Sequence, residues 1–209
     1  MSDNKGLFIT FEGIDGVGKS TQLAALEQYL LEAGASVVRT LEPGGTSLGR
    51  DIRQVLLHGG AVAPRAEALL YAADRAHHVA TVVRPALESG HVVLSDRYLD
   101  SSVAYQGGGR DLTASKIREL SLWATNDLLP NLTVLLDLDA AKAAARRNQT
   151  GTAPDRLESE KIEFFESVRQ AFLTLADAEP ERFLVIDAEE PQDLQQELIR
   201  SRVDQLLGV

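Results

Sequence analysis

The stretch "GIDGVGKS", Gly13 to Ser20, follows directly on the apolar run "LFITF", Leu7 to Phe11. Glycine, four residues, glycine, lysine and a hydroxyl residue make the spacing of a phosphate-cradling loop between a strand and a helix. Gly13 and Gly18 allow a tight turn in which successive N–H groups point inward at phosphate oxygens. The segment after it, "STQLAALEQYLLEAG", has helical character and adds the positive end of a helix to the same place. Lys19 supplies a point charge to β- and γ-phosphates, and the Ser20 hydroxyl is placed to ligate Mg²⁺. Such a match arises by chance in roughly one chain in a hundred of this length. The loop marks a bound nucleotide and leaves the reaction open.

Working outward, short β-rich runs alternate with longer helical segments. The expected strands are Leu7–Phe11, Ser36–Leu41, His91–Ser95, Leu132–Leu138 and Phe183–Ile186. Most are continuous Val/Leu/Ile runs, the pattern of parallel strands covered on both faces. Between the last two, Ile162, Phe165, Val168, Phe172, Leu175 and Ala176 recur at helical steps and predict one buried face. Strands separated by helices mean βαβ units, hence a mainly parallel three-layer α/β domain. Neither a repeat nor a Pro/Ser-rich linker interrupts the chain, which reads as one domain over residues 1–209. Arg146 to Asp155, "RRNQTGTAPD", is the least helical stretch between two helical patterns and predicts a mobile loop or lid, extending to about residue 157.

Composition narrows the partners. The 209 residues are 44% apolar and 25% charged, with a formal charge of −10. A protein that grips a nucleic-acid backbone shows the opposite sign, so a polymer ligand is not expected, whereas a small anion held by a few arginines is compatible. The absence of cysteine excludes disulfides and thiolate chemistry and suits a reducing cytoplasm. No signal peptide and no run of about 18 apolar residues is present, so a cytoplasmic, membrane-free protein is expected.

Two absences and several strand-end motifs narrow the reaction. A regulatory GTPase of the usual kind would carry Asn-Lys-x-Asp and Asp-x-x-Gly motifs, and neither occurs. The third strand instead runs into "SDRYLDSSVAYQGGGR", Ser95 to Arg110. Residues past the carboxyl ends of parallel strands line the ligand crevice, so Asp96, Arg97, Ser102, Tyr105 and Gln106 are candidates for one pocket beside the loop. Arg97 there can fork onto a phosphate, while Gly107, Gly108 and Gly109 read as a flexible turn. "LEPGGTSLGRDIR" after the second strand carries Arg50 and Arg53. In "EALLYAADRAHH", Tyr71 and Arg75 are four apart and share a helix face. Taken alone, that pair favours a core tyrosine beside a surface arginine. Adjacent His77 and His78 point in different directions and give no metal-ligand spacing. Trp123 reads as a core or interface residue. The open rivals are a small-molecule kinase of this fold and a partner-regulated ATPase or switch. Arginines at two strand ends favour the kinase, because an ATPase needs no second anion site.

"FEGIDGVGKST", "EPGGT", "ALLYAADR", "DRYLDSSVAYQGGGR" and "PDRLESE" occur in the order and spacing of bacterial thymidylate kinases, and the resemblance covers essentially the whole chain. It implies the P-loop nucleoside-monophosphate-kinase fold, with a five-stranded parallel sheet and a lid. The implied reaction is ATP + dTMP → ADP + dTDP, with Mg²⁺ dependence and commonly a homodimer. Gly13, Ile14, Asp15, Gly16, Val17, Gly18, Lys19, Ser20 and Thr21 would bind the donor, joined by Arg146. Ser20 and Asp96 would serve the metal, with Asp96 also orienting Arg97. On the acceptor side, Asp15 would contact the 3′-hydroxyl, and Arg53 and Arg97 the phosphate. Tyr71 would stack on thymine and Arg75 would bond its carbonyl edge. Ser102 and Gln106 would lie around the base, Tyr105 against C2′, with Glu42 and Pro43 shaping that side. Because the loop has Gly16 where some relatives carry an arginine, the resemblance is to the type whose catalytic arginine comes from the lid: Arg147 and Arg156, with Arg146 as substitute for the first.

Overall fold

The computed structural model describes residues 6–108, 112–149, 156–157 and 160–208. Five strands form one wholly parallel sheet: β1 (Leu7–Glu12), β2 (Val37–Leu41), β3 (Val92–Asp96), β4 (Leu132–Asp137) and β5 (Phe183–Asp187), in the order β2-β3-β1-β4-β5. All five coincide with the apolar runs of the sequence to within a residue or two. Central β1 is buried along its whole length, and its alternation assigns the two faces. Leu7, Ile9 and Phe11 face a core shared with Leu23 and Leu26 of α1 (Lys19–Glu32), Phe172 of α8 (Ile162–Ala178) and Ile199 of α9 (Gln192–Leu207). Phe8 faces the other core, with Ala68 of α3 (Pro64–His78), Val93 of β3 and Ile117 of α6 (Ala114–Thr125). Helix α3 runs through a wider turn at Val79–Val83 into α4 (Arg84–Glu88). Helix α2 (Ser47–His58) packs against α3. No helix among the described residues is long and apolar enough to cross a membrane.

Two expectations are corrected. Arg146, Arg147 and Asn148 are not loop but the last turn of α7 (Ala140–Asn148). The alanine-rich run "AAKAAARRN" favours helix. Asp139 caps it by accepting from the N–H groups of Ala141 at 2.9 Å and Lys142 at 3.1 Å. The two arginines then sit at the helix's negative end. The rest of that stretch, residues 150–155, and Gly109 lie outside the described residues. Ile162, the first residue of α8, is 52% exposed rather than on the buried face, because the helix meets the core only from Phe165 onward. Trp123, read as a core or interface residue, is 78% exposed, which excludes the core and leaves the interface alternative open.

Candidate active site

Register brings three strand ends together. Phe11 of β1 and Leu41 of β2 both pair with Asp96 of β3, so the phosphate loop, Glu42 and Arg97 leave the sheet side by side. Glu42 N–H donates to the Asp96 carbonyl and Arg97 N–H to that of Phe11, each at 3.0 Å. Arg97 itself has φ 71°, a left-handed conformation that costs a side-chain-bearing residue about 1 kcal/mol or more. Its surroundings hold it there. Glu12, fully buried, accepts from Tyr98 N–H at 2.8 Å and from the Ser101 hydroxyl at 2.6 Å, fixing the turn that follows. Burial and the nearby charge of Asp100 push the Glu12 carboxyl up to about 7. The Arg97 guanidinium donates to Asp15 at 2.6 Å, Ser101 Oγ at 2.9 Å and the Gly13 carbonyl at 3.1 Å, and lies over the Tyr105 ring at 5.1 Å.

Two pockets meet at this arginine. One, the loop groove, is bounded by Gly16, Lys19 and Ser20 on one side and by Arg146 and Arg147 on the other. Lys19 Nζ donates to the Gly13 and Ile14 carbonyls, both at 3.0 Å, and the Ser20 hydroxyl donates to Asp96 Oδ2 at 3.3 Å. Gly16 has φ 94°, and a Cβ there would stand 2.3 Å from the Ala143 carbonyl and 3.4 Å from Arg147 Cβ. Helix α7 therefore docks directly on the loop, and only glycine fits beneath it. Arg147 stacks over Phe165 at 5.3 Å, while exposed Arg146 donates to the Ala188 carbonyl at 3.0 Å.

The second pocket collects Pro43, Tyr71, Arg75, Ser102, Tyr105 and Gln106. Asp15, Glu42, Arg53 and Arg97 line both pockets. Arg53 donates to the Pro43 carbonyl at 2.9 Å, whereas Arg50 is exposed. Arg75 is only 2% exposed. Its Nε donates to Glu42 at 2.7 Å, Nη1 to Ser121 Oγ at 3.1 Å, and Nη2 to Tyr98 O and Ser102 Oγ at 3.1 Å each. Asp15 stays ionised: burial works against its charge, but Arg97 and Lys19 outweigh it and hold its pKa well below the ordinary value. Arg156, expected at the transferring phosphoryl group, lies instead against Glu67 and the Leu56 carbonyl.

Several of these residues escaped the sequence reading. His78 is fully buried, its Nδ1 2.7 Å from Glu42 Oε1 and its Nε2 2.6 Å from Thr40 Oγ1. It braces the carboxylate that Arg75 bonds, and a Cβ on Gly45 would come within 2.7 Å of its ring, which ties the "EPGG" turn to it. Buried Asp74 accepts from Gly44 N–H at 3.3 Å, and its Oδ2 has no partner among the described residues. Burial and the Glu42 charge push its pKa up to about 6. Between its ordinary value near ~4 and that point, the folded protein keeps a proton the unfolded chain has released, so stability falls as pH rises. Relative to Asp74→Asn, the wild type should lose about 2–3 kcal/mol between pH 4 and pH 7. Urea melts of both proteins at the two pH values measure this. A constant difference would mean that Asp74 does not titrate in that window.

The comparisons with known proteins concern the family. The chain is 64% identical over 204 residues, 97% of each chain, to a thymidylate kinase from Leifsonia xyli subsp. xyli. It is 58% identical over 206 residues to one from Bifidobacterium longum strain DJO10A, covering 96% of this chain and 98% of the relative. A Deinococcus radiodurans thymidylate kinase is 54% identical over 194 residues, 91% and 92% of the two chains. The profile of the family described as thymidylate kinase matches residues 11–199, from the end of β1 into α9, and with it the five-stranded parallel sheet and its phosphate loop place the chain in the thymidylate kinase family.

Proposed function

We propose that the two pockets hold the two substrates of one phosphoryl transfer, ATP in the loop groove and dTMP in the second pocket, giving ADP and dTDP. The observation that carries this reading is their shared wall. Asp15, Glu42, Arg53 and Arg97 line both, so the phosphate ends of two nucleotides would meet at a pair of guanidiniums. Little covalent chemistry is asked of the protein, because the attacking group is a phosphate oxygen already anionic at pH 7. Positioning and charge stabilisation remain. Arg53 and Arg97 take the acceptor phosphate, Lys19 the donor phosphates. Ionised Asp15 accepts from the sugar 3′-hydroxyl, and Tyr105 packs against C2′, where a ribose hydroxyl would have no room.

The neighbouring hard oxygens of Ser20 and Asp96 fit Mg²⁺, which they would hold together with donor phosphate oxygens. Bound there, it would supply neutralisation of the charge developing on the β- and γ-phosphates. A homodimer is supported by exposed Val55, Leu69 and Trp123 on α2, α3 and α6, helices packed in series. The cytoplasm fits a cysteine-free, ATP-using enzyme.

The test is ADP release from ATP with each monophosphate in turn. dTMP should be the best acceptor. dUMP lacks only a methyl on the base and should lose about 10–200-fold in kcat/KM, and purine monophosphates should be nearly inert. AMP or GMP outperforming dTMP would overturn the reading.

A further inference from the structure

Arg156 and Leu157 stand apart from the phosphate chemistry, and their contacts describe a different task. Arg156 N–H donates to the Leu57 carbonyl at 3.3 Å, and its Nε donates to that of Leu56 at 2.8 Å. Both carbonyls belong to the last turn of α2, where a helix leaves acceptors unpaired and its dipole is negative. The same guanidinium reaches, through Nη2, the carboxylate of Glu67 in the first turn of α3. Glu67 is fully buried and also accepts from Gln106 Nε2 at 3.1 Å. A carboxylate so desolvated is tolerable only with a cation and hydrogen bonds around it. Leu157, carried along, packs with Leu57, Leu70 and Tyr71 and forms part of the acceptor pocket's wall.

One side chain thus ties the end of α2, which carries Arg53, to the start of α3, which carries Tyr71 and Arg75. We propose that Glu67 and Arg156 are positioning residues for the acceptor. They pin the outer wall of the base pocket and so set how tightly a pyrimidine nucleoside monophosphate is held, rather than how fast the phosphoryl group moves. The inference rests on the second pocket being the dTMP site. It assigns Arg156 a role distinct from Arg147, whose side chain borders the loop groove.

The experiment is steady-state kinetics on Arg156→Met, Glu67→Gln and the double variant, varying dTMP at saturating ATP and ATP at saturating dTMP, with melting temperatures alongside. Losing a charge-assisted bond of this kind should raise the dTMP KM about 10–100-fold, with kcat at saturating dTMP and the ATP KM changed less than about threefold. Since the two groups act as one device, the double variant should be no worse than the poorer single one. Should Glu67→Gln fold poorly because its site is closed, Arg156→Met, whose side chain is part-exposed, still decides the matter. A fall in kcat of about 100-fold with an unchanged dTMP KM would put Arg156 at the phosphoryl group and overturn the proposal. Lower melting temperatures with all kinetic constants intact would overturn it too, leaving the pair merely structural. Wild-type inertness toward dTMP would remove the acceptor reading itself, and this inference with it.

Discussion

Replacing Arg147 with alanine should lower kcat by about 100-fold or more while the dTMP KM and the melting temperature stay close to wild type. A transferring phosphoryl group spreads negative charge over three equatorial oxygens, and each nearby cation has a limited share in meeting it. On the proposed reading, Lys19 serves the donor phosphates. Arg97, held by Asp15, Ser101 and the Gly13 carbonyl, is assigned on that reading to the acceptor. Arg53, which donates to the Pro43 carbonyl, is assigned to the acceptor with it. That leaves the equatorial oxygens to α7. Gly16 has no side chain to offer, and the space a longer residue would need is filled by the Ala143 carbonyl and the stem of Arg147. Loop and helix thus compete for one location, and on the proposed reading the helix supplies the guanidinium there.

Stacking over Phe165 contributes only about 0.5–1 kcal/mol at a part-exposed site, so its loss should barely move the melting temperature. Arg146 points to the Ala188 carbonyl, and Arg146→Ala should alter the ATP KM more than kcat. The competing view, that both arginines merely solvate a linker, predicts a double variant that turns over within a few-fold of wild type. Single-turnover rates on the two singles and the double decide between them.

What the sequence made legible, and what it hid, follows from physical causes. Strands buried on both faces announce themselves as unbroken Val/Leu/Ile runs, and loops at their carboxyl ends must hold the ligand. Asp96, Arg97, Ser102, Tyr105 and Gln106 could therefore be assigned to one crevice; the last four fall in one pocket, and Asp96 lines the adjoining loop groove. The buried polar groups beneath carry no such signature. Glu12, Asp74 and His78 are read correctly only once their partners are known, and those partners are 30 or more residues away in sequence. One signal was available. Glu67, Tyr71 and Arg75 follow at four-residue steps, with His78 three further on, so a single face of α3 carries an acid, a ring, a guanidinium and an imidazole. Viewed as a stripe rather than a pair, that face does not suit a core tyrosine beside a surface arginine. Arg156 resists assignment from sequence for another reason. An arginine near a lid can serve either nucleotide, and spacing alone does not say which. The extension of α7 was masked because "RRN" is polar, although the alanines before it and the cap at Asp139 favour helix through the arginines.

The largest discrimination should appear between two acceptors that differ at one edge of the ring. dCMP should be a worse substrate than dTMP by about 10⁴-fold in kcat/KM. A guanidinium has five N–H groups, and in Arg75 the bonds to Glu42, Ser121, Tyr98 and Ser102 occupy Nε, one hydrogen of Nη1 and both of Nη2. Among the described residues, one Nη1 hydrogen remains without a partner, on a side chain that lines the acceptor pocket and is nearly closed to water. Its complement is an acceptor oxygen, and thymine offers one at its 4-carbonyl. Cytosine carries a 4-amino group there, so two donors would face each other with no water to separate them. Each would go unbonded in a buried site, the case that penalises a wrong ligand most heavily. A rotation of the guanidinium cannot relieve this, because Glu42 is itself fixed by His78. Arg75→Lys keeps the charge beside Glu42 but not the rigid fork, so it should lower dTMP turnover and narrow the dCMP gap to within about a hundredfold. Arg75→Ala is the wrong probe, since it strands a buried carboxylate and risks about 3–5 kcal/mol of stability. The measurement is kcat/KM for dTMP, dUMP and dCMP on the wild type and Arg75→Lys at one pH near 7. Wild-type turnover of dCMP within about a hundredfold of dTMP would show that the free N–H does not read the 4-position. An unchanged gap in the lysine variant would move the discrimination to another residue of the pocket.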